Sequence, residues 1–269
     1  MEDFYKGYKE IIGTSSDITD YLNSLNKSDW HVNEYLIMHN TDDGTEREQR
    51  WDGTRFVNLR YPPNKVAKAK NALQRCALDM LCNPKITVCA ILGLPGSGKS
   101  FLGVQAALYA IRQAGTQQGI VSIREPISTG RESGYLPGTL DTKIGFYFKP
   151  IEEQLEGKEF ELQKLEHAGQ FETITPHYIK GRTFTSQFIL VEEAEDLTEK
   201  QIRLIGTRVG EGSKVVFSGD YKQSEINSTT DNALVKMCGY LKGNPLFSCI
   251  CLSEDVRSET SKLFANLYF

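Results

Sequence analysis

The chain has 269 residues, with 31 Lys and Arg against 35 Asp and Glu, a formal net charge of −4 and an apolar share of 39%. These values suit one medium globular domain or two small ones and exclude disorder, collagen and coiled coil. No run approaches the roughly 20 apolar residues of a membrane helix, and Met1-Glu2-Asp3 opens on acid rather than on a signal peptide, so the cytoplasm is the expected compartment. The slight acidity removes any global basic field, so a nucleic-acid partner would have to find a local patch.

Residues 1–62 read as a small β-rich module. Within it residues 5–13, 30–39 and 55–61 alternate or run apolar and aromatic, with turn signals at Asp42-Asp43-Gly44 and Asp52-Gly53. Asp17 is placed to cap a short helix through Leu25. Pro62-Pro63 cannot continue a ladder and marks the boundary to a second unit over residues 63–269. There the period changes, since Val66, Ala69, Leu73, Cys76 and Met80 share one helix face.

Apolar runs of strand length follow at 86–92, 119–123, 188–191, 214–217 and 248–252, alternating with helical stretches. That alternation predicts a parallel α/β sheet. Residues 101–114 read as an amphipathic helix closed by Gly115, and Thr198 with Gln201 predicts a capping box opening a helix through Thr207. The six cysteines, at 76, 82, 89, 238, 249 and 251, form no Cys-x-x-Cys pair and have no His at ligand spacing, so they read as buried thiols.

The chemistry begins at Gly93-Leu94-Pro95-Gly96-Ser97-Gly98-Lys99-Ser100, which fits the phosphate-loop pattern and lies between an apolar strand and a helix starting near Phe101. Gly93, Gly96 and Gly98 let backbone N–H groups wrap phosphates where a Cβ would obstruct the turn. The helix N-terminus adds partial positive charge. Lys99 is placed to neutralise phosphate oxygens, and Ser100 to offer its hydroxyl to Mg²⁺, a hard cation that prefers oxygen.

An apolar strand tipped with acid, Phe188-Ile189-Leu190-Val191-Glu192-Glu193, supplies the second half of such a site. Glu192 is expected on the metal side and Glu193 beside the attacking water, two tasks that need two carboxylates. Glu192 stands where most such strands carry Asp, and its extra methylene moves the carboxylate by about 1.5 Å. The next apolar strand ends in Gly219-Asp220 and leads to Gln223, an amide placed to sense the γ-phosphate.

With these residues in place the chain resembles the PhoH family of P-loop ATPases, which are related to superfamily-one helicases. Gly130-Arg131-Glu132-Ser133-Gly134-Tyr135-Leu136-Pro137-Gly138, with Lys143 and Pro150, is similar to a family segment more specific than the phosphate loop. Gly181-Arg182-Thr183, Gly210 to Lys214 and Arg257-Ser258-Glu259 also match. The N-terminal stretches around Gly7, Asn33-Glu34-Tyr35 and Arg50-Trp51-Asp52-Gly53 resemble the β module that joins a PIN nuclease domain to the ATPase in longer members. No PIN domain is expected in this chain, although the resemblance admits a separately encoded nuclease partner.

The resemblance implies a RecA-like core, ATP and Mg²⁺ as cofactors, and a homo-oligomeric ring, as in a hexamer. It implies that Gln74, on the polar face of the helix after the double Pro, reads adenine with its amide and that Arg257 or Arg208 completes the site in the same chain or a neighbour, where a guanidinium stabilises charge on the transferred phosphoryl. Two departures stand out. The family's Asp-Glu-Ala-Gln is here Glu192-Glu193-Ala194-Glu195, which predicts slow hydrolysis, and its Arg-Pro is here Arg124-Glu125-Pro126.

Tyr135, Phe146, Tyr147 and Phe148, interleaved with Arg131, Lys143 and Lys149, are suited to stacking on and tracking a single strand of RNA or DNA. The expected function is a Mg²⁺-dependent ATP hydrolase coupled to such a strand. The alternative is a nucleotide-gated binding or assembly module that hydrolyses little.

Overall fold

A computed structural model describes residues 4–62, 67–125, 158–221, 232–254 and 256. The N-terminal sheet consists of β1 (Tyr8–Gly13), β2 (Tyr35–Asn40), β3 (Glu46–Trp51) and β4 (Phe56–Asn58), in that spatial order. β1 and β2 are parallel, and α1 (Ser15–Ser24) provides the crossover that a parallel pair requires. Thr14, rather than Asp17, is the N-cap of α1. Thr14 Oγ1 accepts from Asp17 N at 3.2 Å, and the Asp17 carboxylate accepts in return from Thr14 N at 2.9 Å. An acid three residues inside the cap is the second member of a capping box.

β3 has no alternating apolar pattern, yet it pairs on both sides, with β2 and β4. Two of its acids meet a helix of the second unit. Glu46 and Glu48 both pair with Arg75 of α2 (Ala72–Cys82). Trp30, Leu36, Met38 and Trp51 form a small core of their own with Ile18 and Tyr21 of α1.

The second sheet is all parallel, in the order β10-β5-β9-β8-β6-β7. Its strands are β5 (Val88–Gly93), β6 (Gly119–Arg124), β7 (Phe171–Ile174), β8 (Gln187–Glu192), β9 (Lys214–Gly219) and β10 (Phe247–Leu252). Successive residues face opposite sides, as a strand requires. Cys89, Ile91, Phe188 and Leu190 pack with α2, α3 (Lys99–Tyr109) and α4 (Lys158–His167). Ala90, Leu92, Ile189 and Val191 pack with α5 (Glu199–Gly206) and α6 (Ala233–Leu241). The expected α/β layering is therefore present.

α3 passes into a π-helical turn, Ala110–Ala114, and closes at Gly115 with φ +62. The Thr198–Gln201 capping box opens α5 as expected. α2 begins later than its periodicity suggests. Asn71 caps it, accepting from Gln74 N at 2.9 Å, so Ala69 precedes the helix and Val66 lies outside the described residues. Five cysteines are buried and Cys82 is half-buried. Among the described residues no helix is long and apolar enough to cross a membrane.

The two sheets share a core. Tyr35 and Ile37 of β2 lie in one cluster with Leu73, Cys76 and Met80 of α2. At its centre the buried Asp79 carboxylate accepts from Tyr35 Oη at 2.9 Å, from Arg50 Nε at 2.9 Å and from Arg60 N at 2.6 Å. A second contact covers the edge strand β10. Cys251 N donates to Lys6 O at 3.0 Å, and a Cβ on Gly7 would lie 1.8 Å from Cys249 O. Asn33 Nδ2 donates to Pro245 O and Phe247 O, both at 3.0 Å.

At the far end of α2 the buried Lys214 ammonium donates to Met80 O at 3.2 Å and Asn83 O at 2.9 Å. Burial pushes its pKa down, while the carbonyls at the helix C-terminus favour the charged form. The Asp79 cluster yields a test. Asp79→Ala takes the carboxylate partner from the Arg50 guanidinium and strands a hydroxyl and a backbone N–H in a buried site, and is expected to cost about 3–5 kcal/mol of unfolding free energy. Denaturant titration reads this as a lower midpoint, and a loss below about 1 kcal/mol would show that the cluster does not hold the sheets together.

Candidate nucleotide site

β5 ends at Gly93 and α3 begins at Lys99, so the glycine-rich segment is a strand-to-helix turn at the C-terminal end of a parallel sheet. Crevices at that end are where open α/β sheets bind ligands. Gly96 and Gly98 have φ of +78 and +93, a left-handed geometry that a side chain would strain. The loop is also tight. A Cβ on Gly93 would lie 2.6 Å from Leu252 O, and one on Gly98 would lie 2.9 Å from Gln74 Nε2. Lys99 Nζ folds back over the loop and donates to Gly93 O at 2.7 Å and Leu94 O at 3.0 Å. Ser97 is buried beneath, with its N–H donating to Leu94 O at 3.2 Å, and Phe101 is partly exposed on the first turn of α3.

The acid-tipped strand β8 is separated from β5 by β9. Ser100 Oγ nonetheless donates to Glu192 Oε2 at 2.7 Å, so the extra methylene of Glu192 does not part it from the loop. Burial raises the Glu192 pKa, opposed by the Ser100 hydrogen bond and the charges of Arg124 and Lys99. Its other oxygen, Oε1, is buried without a hydrogen-bond partner among the described residues. A hydroxyl and a carboxylate in contact, with one buried oxygen unspent, fit a hard cation that takes its remaining ligands from water and phosphate.

Glu193 adopts φ +52, a left-handed conformation that costs a non-glycine residue about 1–2 kcal/mol. Its carboxylate pairs with the guanidinium of Arg124, at the end of β6. Glu195 is buried below the end of β9. Its carboxyl accepts from Asp220 N, and burial pushes its pKa up to about 7. Gly219 makes the room, since a Cβ there would lie 2.5 Å from Glu195 Oε2.

The remaining expected residues divide three ways. Gln74 adjoins the loop but does not lie on a polar face: it is 3% exposed. Its Nε2 donates to Ser97 O at 2.9 Å and its Oε1 accepts from Lys70 N at 2.8 Å, so both ends of the amide hold protein backbone. Arg208 precedes β9 and lies beside Phe184, which precedes β8. It is therefore at the N-terminal end of the strands, about 20 Å of strand away from the loop, and does not join the site within one chain. Gln223, Arg257 and the segment 130–150 lie outside the described residues.

Two features carried little signal in the sequence. Arg124 is marked only by its match to the arginine of the family's Arg-Pro, with Glu125 set between it and Pro126. The stretch after β10 crosses the loop, with Val256 N donating to Gly96 O at 3.1 Å and Lys70 Nζ donating to Val256 O at 3.1 Å. Asn71 Nδ2 ties Glu254 alongside at 2.8 Å.

A phosphate loop on one strand, an acid-tipped strand two places away and a third strand between them define a RecA-like P-loop nucleotide-binding core. A family model described as PhoH-like protein matches residues 66–268, and the chain belongs to that family. Among its relatives, Protein PhoH2 of Bacillus subtilis is 27% identical over 99% of this chain and 65% of its own length. Protein PhoH2 of Thermobispora bispora is 31% identical over 74% of this chain and 47% of its own. A PhoH-like protein of Synechocystis sp. is 30% identical over 70% and 57%. The chain thus spans about half to two thirds of the length of these relatives.

Glu195 gives the site a pH signature. Its carboxyl ordinarily titrates near 4.5 and in the fold near 7, so between those values the folded protein keeps a proton that the unfolded chain has lost. This contribution to stability is full below pH 4.5 and disappears as pH rises through 7. Glu195→Gln is therefore expected to stabilise the protein by roughly 3 kcal/mol above pH 8 and by little at pH 4. Thermal melts of both proteins across pH check this, and a pH-independent difference would count against it.

Proposed function

We propose that this chain is a Mg²⁺-dependent ATP hydrolase whose turnover is coupled to single-stranded nucleic acid. The observation that supports hydrolysis best is the Ser100–Glu192 contact at the foot of the phosphate loop, with Glu193 next in sequence at the strand end. The glycine-rich turn and the N-terminus of α3 receive the phosphates. Lys99, released from Gly93 O and Leu94 O, neutralises them. Ser100 and Glu192 would hold Mg²⁺, which when bound would supply positive charge against the phosphate oxygens. Glu193 orients the attacking water and takes its proton as the water oxygen bonds to the γ-phosphorus and the bond to ADP breaks.

Coupling to a strand is supported by the aromatic and basic residues between Arg131 and Lys149, in the segment that follows β6 directly. They offer rings for stacking and cations for phosphates. A homo-oligomeric ring belongs to the same proposal through the family resemblance, and in it Arg208, too far from its own loop, would serve only a neighbouring copy.

The test is ATP turnover with and without single-stranded RNA or DNA, at low and moderate salt. Lys99→Ala is expected to weaken ATP binding. Glu193→Gln is expected to keep binding and lower kcat by about 10² to 10⁴. A strand should raise wild-type turnover several-fold, with less effect as salt rises. Tight ATP binding with negligible turnover, indifferent to any strand, would instead make the protein a nucleotide-gated assembly module.

A further inference from the structure

Arg124 and Glu193 are brought together by strand pairing. β6 lies beside β8, and the register sets Arg124 opposite Glu192, so the guanidinium arises next to both acids. Its charge acts on Glu192, and it forms an ion pair with Glu193. The Arg124 side chain is 17% exposed and that of Glu193 44%, so the pair is half-sheltered and less screened than a surface pair. Around it the backbone is fixed. Arg124 ends a strand paired on both sides, and the next residue, Glu125, accepts from Gln201 Nε2 of α5 at 2.7 Å. Glu193 is fixed at φ +52, which sets where its side chain starts and leaves its partner to decide where the carboxylate ends.

The guanidinium fixes the direction in which the Glu193 carboxylate points, so the carboxylate has to turn from that partner to face a water elsewhere in the site. We propose that Arg124 is a latch on Glu193, a positioning residue whose ion pair holds the carboxylate away from the attacking water and keeps basal ATP turnover low. The proposal rests on the reading of Glu193 as the residue that activates water. The expectation of slow turnover then rests on this pair rather than on Glu192, whose contact with Ser100 is intact. The latch opens by side-chain motion alone, since both backbones stay where the sheet puts them.

Steady-state ATP turnover of the full chain tests this, with nucleotide affinity measured separately by a fluorescent ATP analogue. Arg124→Gln is expected to raise kcat about three- to tenfold, while KM and analogue affinity stay within about twofold of wild type. Arg124→Lys keeps the charge but loses the fork, and should fall between the two. Adding Glu193→Gln to Arg124→Gln should abolish the gain. A merely structural role would lower kcat or move KM and affinity with it.

An unchanged or lower kcat in Arg124→Gln, with wild-type turnover present and sensitive to Lys99→Ala, overturns the latch and leaves hydrolysis standing. Bound ATP that neither wild type nor Arg124→Gln turns over removes the hydrolytic reading and the latch together. If Arg124→Gln does not fold, Arg124→Lys decides, and a kcat at or below wild type overturns the proposal.

Discussion

Around the phosphate loop, glycines lie against their neighbours at distances that leave no room for a Cβ. Gly93 meets the carbonyl of Leu252 on one side, and Gly98 meets the Gln74 amide on the other. The loop therefore has its shape before any phosphate arrives, because neighbours from β10 and α2 leave it no other path. Preorganisation of this kind avoids spending binding energy on ordering the loop. It also places Ser100 where the end of β8 can meet it, although β9 lies between the two strands.

α2 carries that constraint through the molecule. Gln74 in its first turn holds the backbone of Ser97, Asp79 near its end gathers Tyr35, Arg50 and the Arg60 amide, and Lys214 caps its last carbonyls. A helix of 11 residues thus joins the N-terminal sheet to the loop through charged and polar contacts, most of them buried. These groups have little freedom to move singly, since a buried polar atom that leaves its partner costs on the order of 1–3 kcal/mol.

Most of this was legible in the sequence where period and punctuation agree. The five apolar runs are strands, the glycine-rich string lies between strand and helix, and Gly115 and the Thr198–Gln201 pair sit where they should. Residues whose neighbours are remote in sequence were less legible. Glu46 and Glu48 look solvent-facing until Arg75 is beside them, which is why β3 escapes an alternation rule. Gln74 reads as polar and exposed, yet a carbonyl 23 residues away buries it. Lys214 opens an apolar strand with no hint that its ammonium will sit under a helix end. Neither does the sequence pair Arg124 with Glu193, since 69 positions separate them and only the β6–β8 register makes them neighbours.

The covering of β10 has a consequence for handling the protein. An uncovered edge strand exposes a row of hydrogen-bonding groups to any other strand in solution, and β10 is apolar and fully buried along its length. Lys6, Gly7 and Asn33 close that row in the intact chain. A fragment trimmed to the ATP-binding core would carry the edge bare, together with the face of α2 that Tyr35 and Ile37 cover. Such a fragment would be sticky, and insolubility on expression would report the loss of a cover rather than a failure of the core to fold.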